Sequence, residues 1–431
     1  MSIKRAQSPI GSGRVYPWVV VGLLWFCGFF NYADRQAVYS VFPLLKSEFG
    51  LSQRQLGYLG SAFMLVYALT SPFSGYTVDL LPRRLLITLG LTFWSLICAA
   101  TALSRSFLQL IFFRAAEGLG ESFYFPASMS ILADYHGGRT RSRALGIHQT
   151  SVYLGTAGGA VLAGYLGERL GWRSPFWVLG LAGVVYAVLL GFVLIEPRRE
   201  STDRDEPRRD EEAEDPWNQS PPSSDSLAMK LGRILTNPAA ALLLAVFCGA
   251  NFVAATFLTW LPSYIFERFE LGILSSSLTS TFWPLASLPG ALLGGVAADL
   301  SSRRGRGGRI RVQSVGLCVA APFVFLTGWA TSVPVLIAAL IGAGICKGIY
   351  DSNIFASLFD VIRPEDRGTA AGLMNTVGWT GGFAAPTVVA IASERLGLGA
   401  TIAATAAVYL LGGMLAYGAA RMAETRHFRI A

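Results

Sequence analysis

Long apolar stretches, separated by short charged clusters, constrain this 431-residue chain more than any other feature. Many stretches have about 20 residues, which is the length of α-helix that crosses the hydrocarbon core of a bilayer. Charged residues make up 14% of the chain, against about 25% in soluble domains, and they collect between the apolar stretches. We therefore predict an all-α membrane protein that crosses the bilayer many times.

The apolar stretches predict twelve transmembrane helices in two six-helix lobes. The predicted spans are residues 17–44, 56–80, 84–104, 108–134, 143–166, 174–195, 238–266, 276–300, 310–331, 333–360, 366–392 and 397–422. The segment between the sixth and seventh spans is rich in charged residues, proline and serine, so it does not bury enough apolar surface to fold alone. We predict an N-terminal lobe at residues 1–195, a cytoplasmic linker at residues 196–237 and a C-terminal lobe at residues 238–431.

Arginine-rich loops predict the orientation of the chain. Most lie on the side of the linker and both termini, at Arg83, Arg84, Arg139, Arg141, Arg143, Arg303, Arg304, Arg306, Arg309, Arg311, Arg363, Arg367, Arg421, Arg426 and Arg429. The opposite loops hold far fewer cations, such as Lys46 and Arg54. Lysine and arginine favour cytoplasmic loops, so both termini and the linker are expected in the cytoplasm. In a bacterium, the chain would lie in the inner membrane. The first apolar run is too long for a cleavable signal peptide.

Composition also excludes several classes of protein. The net charge of +8 resides in loops between spans, where it sets orientation, so nucleic acid is not an expected partner. The five cysteines lie inside apolar stretches, and the three histidines are scattered, so neither a metal site nor a disulfide framework is expected. No nucleophile–base constellation suggests an enzyme, and no cofactor is expected. We expect a monomer.

An internal repeat relates the two halves. Residues 75–84 read GYTVDLLPRR and residues 295–304 read GVAADLSSRR, an offset of 220 residues that also relates Asn31 to Asn251. Repeated halves allow a transporter to exchange two access states. We predict a conformational latch in each loop, against the alternative of charge that only sets orientation. The predicted latch residues are Gly75, Asp79, Arg83, Arg84, Gly295, Asp299, Arg303 and Arg304.

Charged side chains inside predicted spans are the strongest functional signal. Asp34 and Arg35 lie in the first span, and Arg114, Glu117 and Glu121 share one face of the fourth. Such residues are costly in a bilayer and usually serve function. Burial favours the protonated form of a carboxyl and a nearby arginine favours the ionised form, so Asp34 and Glu121 are candidates for proton coupling.

Other interpretations of these charges stay open. The cluster can be a static salt-bridge network that fixes helix packing, and Glu117 can serve only as the partner of Arg114. Arg35 and Arg114 can instead bind an anionic substrate. In the repeat, Ala254 and Ala255 replace the Asp34–Arg35 pair, which favours a functional role for that pair.

The C-terminal half offers weaker candidates. Lys347 and Asp351 lie one helical turn apart in the tenth span, where they can be a functional pair or a simple helix pair. Polar side chains in other spans can line a cavity or hydrogen-bond a neighbouring helix. These candidates are His148, Gln149, Tyr153, Trp260, Tyr264, Asn353, Asn375 and Trp379.

At these motifs the chain resembles the major facilitator superfamily, through Gly75, Asp79, Arg83 and Arg84 in the loop after the second span. The stretch from Asn31 to Arg35 is similar to the NYxDR motif of the spinster lipid transporters and of the anion:cation symporters, which carry carboxylates and sugar acids. The stretch Arg114 to Glu121 resembles the RxxxGxGE motif that both groups share, and residues 131–146 lean toward spinster. The resemblance implies proton coupling at Asp34 and Glu121. It also implies that Arg35 and Arg114 contact an anionic substrate or those carboxylates.

Two features depart from this resemblance. Glu117 occupies a position that is expected to be uncharged. The fifth span, which reads GTAGGAVLAG from Gly155, lacks the Gly-Pro pair of antiporter relatives. The second departure favours proton symport or facilitated export over drug antiport.

The sequence therefore predicts a proton-coupled transporter that works by alternating access on an organic anion or zwitterion. A lysophospholipid-like amphiphile is the first expectation, and a small carboxylate or sugar acid is the alternative. A non-transporting membrane sensor is the alternative of another class, although the linker is too short for a signalling domain. The expected partners are the substrate, protons and membrane lipids.

Overall fold

The structure is a computed structural model that describes residues 15–197, 226–303, 305 and 307–425, and these residues form helices without any strand. Helices satisfy their own backbone hydrogen bonds, as a bilayer requires. The N-terminal half contains α1 (Tyr16–Ser40), α2 (Phe42–Phe49), α3 (Gln53–Leu80), α4 (Arg83–Thr101), α5 (Phe107–Glu121), α6 (Tyr124–Tyr135), α7 (Gly138–Leu170) and α8 (Arg173–Val193).

The second half begins with a short helix and continues with long ones. It contains α9 (Leu227–Thr236), α10 (Pro238–Phe269), α11 (Ile273–Ser280), α12 (Phe282–Ser302), α13 (Gly308–Trp329), α14 (Val333–Asp351), α15 (Ile354–Phe359), α16 (Arg367–Leu396), α17 (Leu398–Ala404) and α18 (Ala406–Thr425). Within the described residues, nine segments are long and apolar enough to cross a membrane. The predicted count of twelve needs three more spans, which are α5 together with α6, then α7, and then α16. These helices are richer in charge or glycine.

Besides the first predicted span, which is divided between α1 and the start of α2, four predicted spans are broken into two helices each. Proline explains two of these breaks, because its ring clashes with the carbonyl four residues earlier and it donates no hydrogen bond. Pro126 stands four residues after Ser122, which directly follows the last residue of α5, and Pro284 stands four residues after Ser280, where α11 ends. The breaks after α14 and α17 have no such proline. Sequence hydropathy therefore located these spans without showing their bends.

Small residues bring α1 and α7 into close contact in the N-terminal lobe. A Cβ atom at Gly155 would lie 2.6 Å from the backbone oxygen of Phe29, and a Cβ atom at Gly159 would lie 2.6 Å from that of Ala33. Any larger side chain would separate the helices. This contact fixes the part of α1 that carries Asp34.

The two lobes meet along α3 with α16 and along α7 with α11. We call the membrane side on which α8 ends and α10 begins the linker side. Two ion pairs join the lobes on the opposite side: Lys46 lies 2.8 Å from Glu267, and Arg54 lies 2.5 Å from Glu394. Toward the linker side, Gln149 of α7 is exposed. The lobes are thus held together at the end remote from the linker.

The helix α9 lies within the segment predicted as a linker, where no helix was expected. Ser226 caps its first turn by accepting a hydrogen bond from the backbone of Met229. Arg233 binds Asp366 with two hydrogen bonds of 3.0 and 2.8 Å, and Ile234 is buried. The predicted linker residues 198–225 lie outside the described residues.

Candidate functional site

Arg35 is the centre of a charged cluster in the N-terminal lobe. Its Nε donates a hydrogen bond to Glu121 at 2.5 Å, and its Nη2 donates one to Asn31 at 3.1 Å. Asn31 lies one turn earlier on the same helix, whereas Glu121 ends α5. The arginine therefore joins two helices, and its charge is balanced by a carboxylate that is fully buried.

Aromatic rings surround the Arg35 guanidinium. Its central carbon lies 4.7 Å from the ring centroid of Tyr32, 4.8 Å from those of Phe63 and Tyr67, and 5.9 Å from that of Trp379. Cations are attracted to the faces of such rings, most strongly away from water. Trp379 belongs to α16 of the other lobe and lies against Tyr67, with 4.5 Å between ring centroids. Both lobes thus contribute to the wall around this cation.

A second ion pair lies beside the first. Arg114 donates a hydrogen bond to Glu117 one turn later on α5, and both side chains are buried. The guanidinium also lies 4.9 Å from the ring centroid of Phe63 and 5.6 Å from that of Tyr39. The Phe63 ring therefore contacts both guanidinium groups.

Asp34 is the unpaired member of the cluster. It is fully buried, and neither carboxyl oxygen has a hydrogen-bond partner of ordinary geometry among the described residues. The Cys98 thiol lies near it as a weak donor, while Glu117 and Glu121 lie within electrostatic range. An isolated carboxylate in such surroundings costs several kcal/mol, so burial favours its neutral form. With Asp34 neutral, two arginines balance the two glutamates.

The described residues of the C-terminal lobe include an ion pair inside a predicted span. Lys347 donates a hydrogen bond to Asp351 on the same helix, and both side chains are largely shielded. The ammonium lies 5.4 Å from the ring centroid of Trp283. The pair therefore has both the helix spacing expected from sequence and an aromatic neighbour that the sequence did not identify.

The predicted cavity residues divide into two groups. Tyr153 is half-buried and lies within electrostatic range of Asp351 and Tyr32, and Asn375 is exposed. The other group forms hydrogen bonds inside helix packing. His148 lies 2.7 Å from the Tyr124 hydroxyl, Trp260 donates to Pro386 at 3.2 Å, Tyr264 to Gly328 at 3.0 Å and Asn353 to Gly294 at 3.1 Å.

The predicted latch residues do not form one contact in this conformation. Arg83 is buried and binds Asp134 and Glu196. Arg84 donates a hydrogen bond to the backbone of Gly191. In the second repeat, Asp299 lies 3.7 Å from Arg309.

The two latch glycines face open space. Among the described residues, no atom lies within 4 Å of a Cβ built at Gly75 or Gly295. The Asp79 side chain and Arg304 lie outside what the structure describes. The latch role of this loop stays a prediction.

Sequence reasoning missed the aromatic rings beside the two cations, which are Phe63 and Tyr67 beside Arg35 and Trp283 beside Lys347. Aromatic residues are common in apolar spans, and hydropathy does not separate those that face a cavity from those that pack. The repeat offset of 220 residues, which relates Phe63 to Trp283, is the one sequence signal that could have singled them out.

Comparison with known proteins identifies the family. Residues 24–386 match the sequence profile of the Major Facilitator Superfamily. The chain belongs to this superfamily of transporters. It is therefore an integral, multi-pass membrane protein and not an enzyme. This confirms the fold class and the family resemblance predicted from sequence.

The similar proteins within the superfamily include both groups expected from sequence. A probable L-galactonate transporter of Escherichia coli is 25% identical over 72% of this chain and 67% of the relative. A probable galactarate/D-glucarate transporter of Bacillus subtilis is 22% identical over 89% of this chain and 87% of the relative. Human protein spinster homolog 1 is 26% identical over 88% of this chain and 73% of the relative.

A solved structure shares the fold. A bacterial homologue of the human lysosomal transporter spinster, in an inward-facing and unoccupied conformation, has a TM-score of 0.82. The match covers 96% of this chain and 100% of the other, with 19% sequence identity. At this identity the similarity establishes the architecture of the lobes.

Proposed function

We propose that this superfamily member is a proton-coupled symporter of small sugar acids. The observation that carries the proposal is the buried cluster in which Arg35 binds Glu121 while Asp34 has no cationic partner. Such a cluster contains both a cation for a carboxylate cargo and carboxyls that can take up protons. The two-lobed architecture provides alternating access around it.

The cargo carboxylate would bind Arg35. A guanidinium forms paired hydrogen bonds to a carboxylate, and Arg35 is held by aromatic rings that limit its movement. In this conformation the Arg35 guanidinium is hydrogen-bonded to Glu121. The carboxylate of the cargo must therefore compete with the Glu121 carboxylate for the guanidinium. Protonation of Glu121 would remove its charge and free Arg35 for the cargo. Proton binding and cargo binding would then favour one another.

Asp34 would be the second proton site. Its burial without a cation favours the neutral acid. When the cavity hydrates in one access state, the charged form becomes less costly and the proton can leave. Asp34 and Glu121 lie within electrostatic range, so the charge on one opposes ionisation of the other.

Sugar acids are favoured over an amphiphile for two reasons. Several similar proteins have names that state transport of sugar acids, namely galactonate, galactarate and D-glucarate. In addition, the centre of this chain carries five charged side chains within two helices, which suit a polar cargo better than an acyl chain. A lysophospholipid-like cargo is the second candidate, because spinster proteins are also similar to this chain.

Proteoliposomes that contain the purified protein test the proposal. Uptake of radiolabelled galactonate and glucarate is measured with and without an imposed pH gradient, and lysophosphatidylcholine is offered in parallel. We expect the gradient to accelerate sugar-acid uptake in the wild type. Asp34→Asn and Glu121→Gln should each lose this acceleration, while exchange of labelled for unlabelled cargo at equal pH should persist.

The controls decide between the candidates. Glu365→Gln changes an acidic residue near the linker side, outside the cluster, and should retain gradient-driven uptake. Uptake of the lysolipid without uptake of either sugar acid would show that the cargo is an amphiphile. If Asp34→Asn and Glu121→Gln both retain full gradient-driven uptake, these carboxylates do not couple transport to protons.

A further inference from the structure

Equivalent glycines place the fourth and tenth predicted spans in register. A Cβ atom at Gly118 of α5 would lie 2.5 Å from the carbonyl oxygen of Phe63, and one at Gly344 of α14 would clash with that of Trp283. Phe63 and Trp283 are 220 residues apart, which is the repeat offset, so each glycine crosses its neighbour at the same point of its lobe. In this register Lys347 occupies the position that Glu121 occupies in the first lobe.

The register shows that each lobe holds a cation over an equivalent ring. Arg35 lies 4.8 Å from the ring centroid of Phe63, and Lys347 lies 5.4 Å from that of Trp283. Each cation also binds one carboxylate, Glu121 in the first lobe and Asp351 in the second. In the second lobe Ala255 stands at the position equivalent to Arg35, and Lys347 supplies the charge from another helix.

A small pocket lies between the lobes, next to residues that neighbour the two cations. It has about 10 Å³ of space open to water, and its lining includes Gln36, Thr156 and Trp283. Gln36 adjoins Arg35 in sequence, and Trp283 is the ring beneath Lys347. Tyr153 of α7 lies within electrostatic range of both Tyr32, which covers Arg35, and Asp351. Both cation–carboxylate pairs therefore border the interface between the lobes.

A helix pair alone does not explain Lys347 and Asp351. Pairs spaced by four residues stabilise an exposed helix only slightly, whereas each charge placed within a membrane span is costly. The pair therefore costs more than it contributes to helix stability. A role in binding a charged cargo accounts for this cost.

We propose that the Lys347–Asp351 pair is a second anion-binding subsite, which together with Arg35 selects sugar acids that carry a carboxylate at both ends. This inference rests on the proposed function. One carboxylate binds Arg35 and the other binds Lys347, where it competes with the Asp351 carboxylate for the ammonium. A monocarboxylate uses only the first subsite and gains nothing from the second.

Two acids of equal chain length test the inference. Glucarate has a carboxylate at both ends, and gluconate has one. Each acid is used to inhibit the exchange of labelled galactonate. The half-inhibitory concentration of gluconate is then divided by that of glucarate. In the wild type we expect glucarate to inhibit at a concentration about tenfold lower or more, as for one additional charge-assisted contact.

Variants locate the preference. Lys347→Gln combined with Asp351→Asn removes both charges without leaving one unpaired, and the gluconate to glucarate ratio should fall toward one. Lys347→Arg retains the cation and should keep a preference for glucarate. Lys230→Gln, which changes a lysine of α9, serves as the matched control and should leave the ratio at its wild-type value.

The outcomes distinguish the inference from the function on which it rests. Equal inhibition by both acids in the wild type overturns the second subsite, even where the double variant does not fold, and leaves sugar-acid transport intact. An unchanged ratio in a folded double variant also overturns it. Failure of every sugar acid to bind the wild type removes the proposed function together with this inference.

Discussion

Arg35 and Trp379 belong to opposite lobes, yet the guanidinium carbon of Arg35 lies only 5.9 Å from the ring centroid of Trp379. The central cation of the first lobe is thus covered partly by the second. Any rocking motion that separates α3 from α16 removes this cover and changes the surroundings of Arg35, while its bond to Glu121 stays within one lobe.

Arg35→Lys should impair transport although it keeps the positive charge. Lysine cannot reproduce the planar set of donors that binds Glu121 and Asn31 together. We expect the concentration of sugar acid for half-maximal transport to rise by about tenfold, as for the loss of one charge-assisted hydrogen bond. Arg143→Lys, at an exposed position on the linker side, is the matched control. Equal affinity of Arg35→Lys and wild type would show that charge alone suffices.

Gly118→Val should disrupt the charged cluster through packing alone. The Cβ atom would lie 2.5 Å from the Phe63 carbonyl, so α3 and α5 must separate. We expect a cost of about 1–3 kcal/mol or more, which lowers the melting temperature in detergent. Gly146→Val is the control, because no described atom lies within 4 Å of a Cβ there. A wild-type melting temperature for Gly118→Val would contradict the packing.

Arg54→Glu should shift the protein away from the conformation described here. The substitution replaces an ion pair between lobes with repulsion of Glu394. The shift should be a few-fold at most, because the pair is exposed, and should shrink at high salt. Labelling of Gln149→Cys from the linker side, quantified by mass spectrometry, should fall. The exchange Arg54→Glu with Glu394→Arg should restore it, and no restoration would argue against this pair.

Gly75→Leu tests whether the repeated loop closes the linker side. The site is open in this conformation, so leucine should be tolerated here. If the loop contacts the other lobe when the linker side closes, overpacking of about 1–3 kcal/mol would disfavour that state and slow transport roughly five- to hundredfold. Labelling of Gln149→Cys should then rise. Gly22→Leu, also in open space, is the control, and unchanged transport by Gly75→Leu would exclude a latch at this glycine.

Much of this architecture follows from the sequence, because apolar length and intramembrane charge have direct physical meaning. The cost of burying charge identified Asp34, Arg35 and Glu121 without any knowledge of their neighbours. The repeat at Gly75 and Gly295 indicated two related lobes.

The pairing between helices was not predictable in the same way. Hydropathy shows that a helix spans the bilayer, but it does not show which helix faces it or at what height. That height is set by contacts such as Gly118 on Phe63 and Gly344 on Trp283. For this reason the rings around Arg35, and the correspondence of Lys347 with Glu121, emerged only in three dimensions.

The placement of the Arg35–Glu121 bond inside a single lobe has a mechanical consequence. A lobe that rotates as a rigid body carries both partners with it, so the rotation itself cannot pull them apart. The rotation changes what lies beside the pair, which is Trp379 in one state and water in the other. Access of water to the pair, and not a mechanical pull on it, would then decide when Glu121 gains or loses its proton.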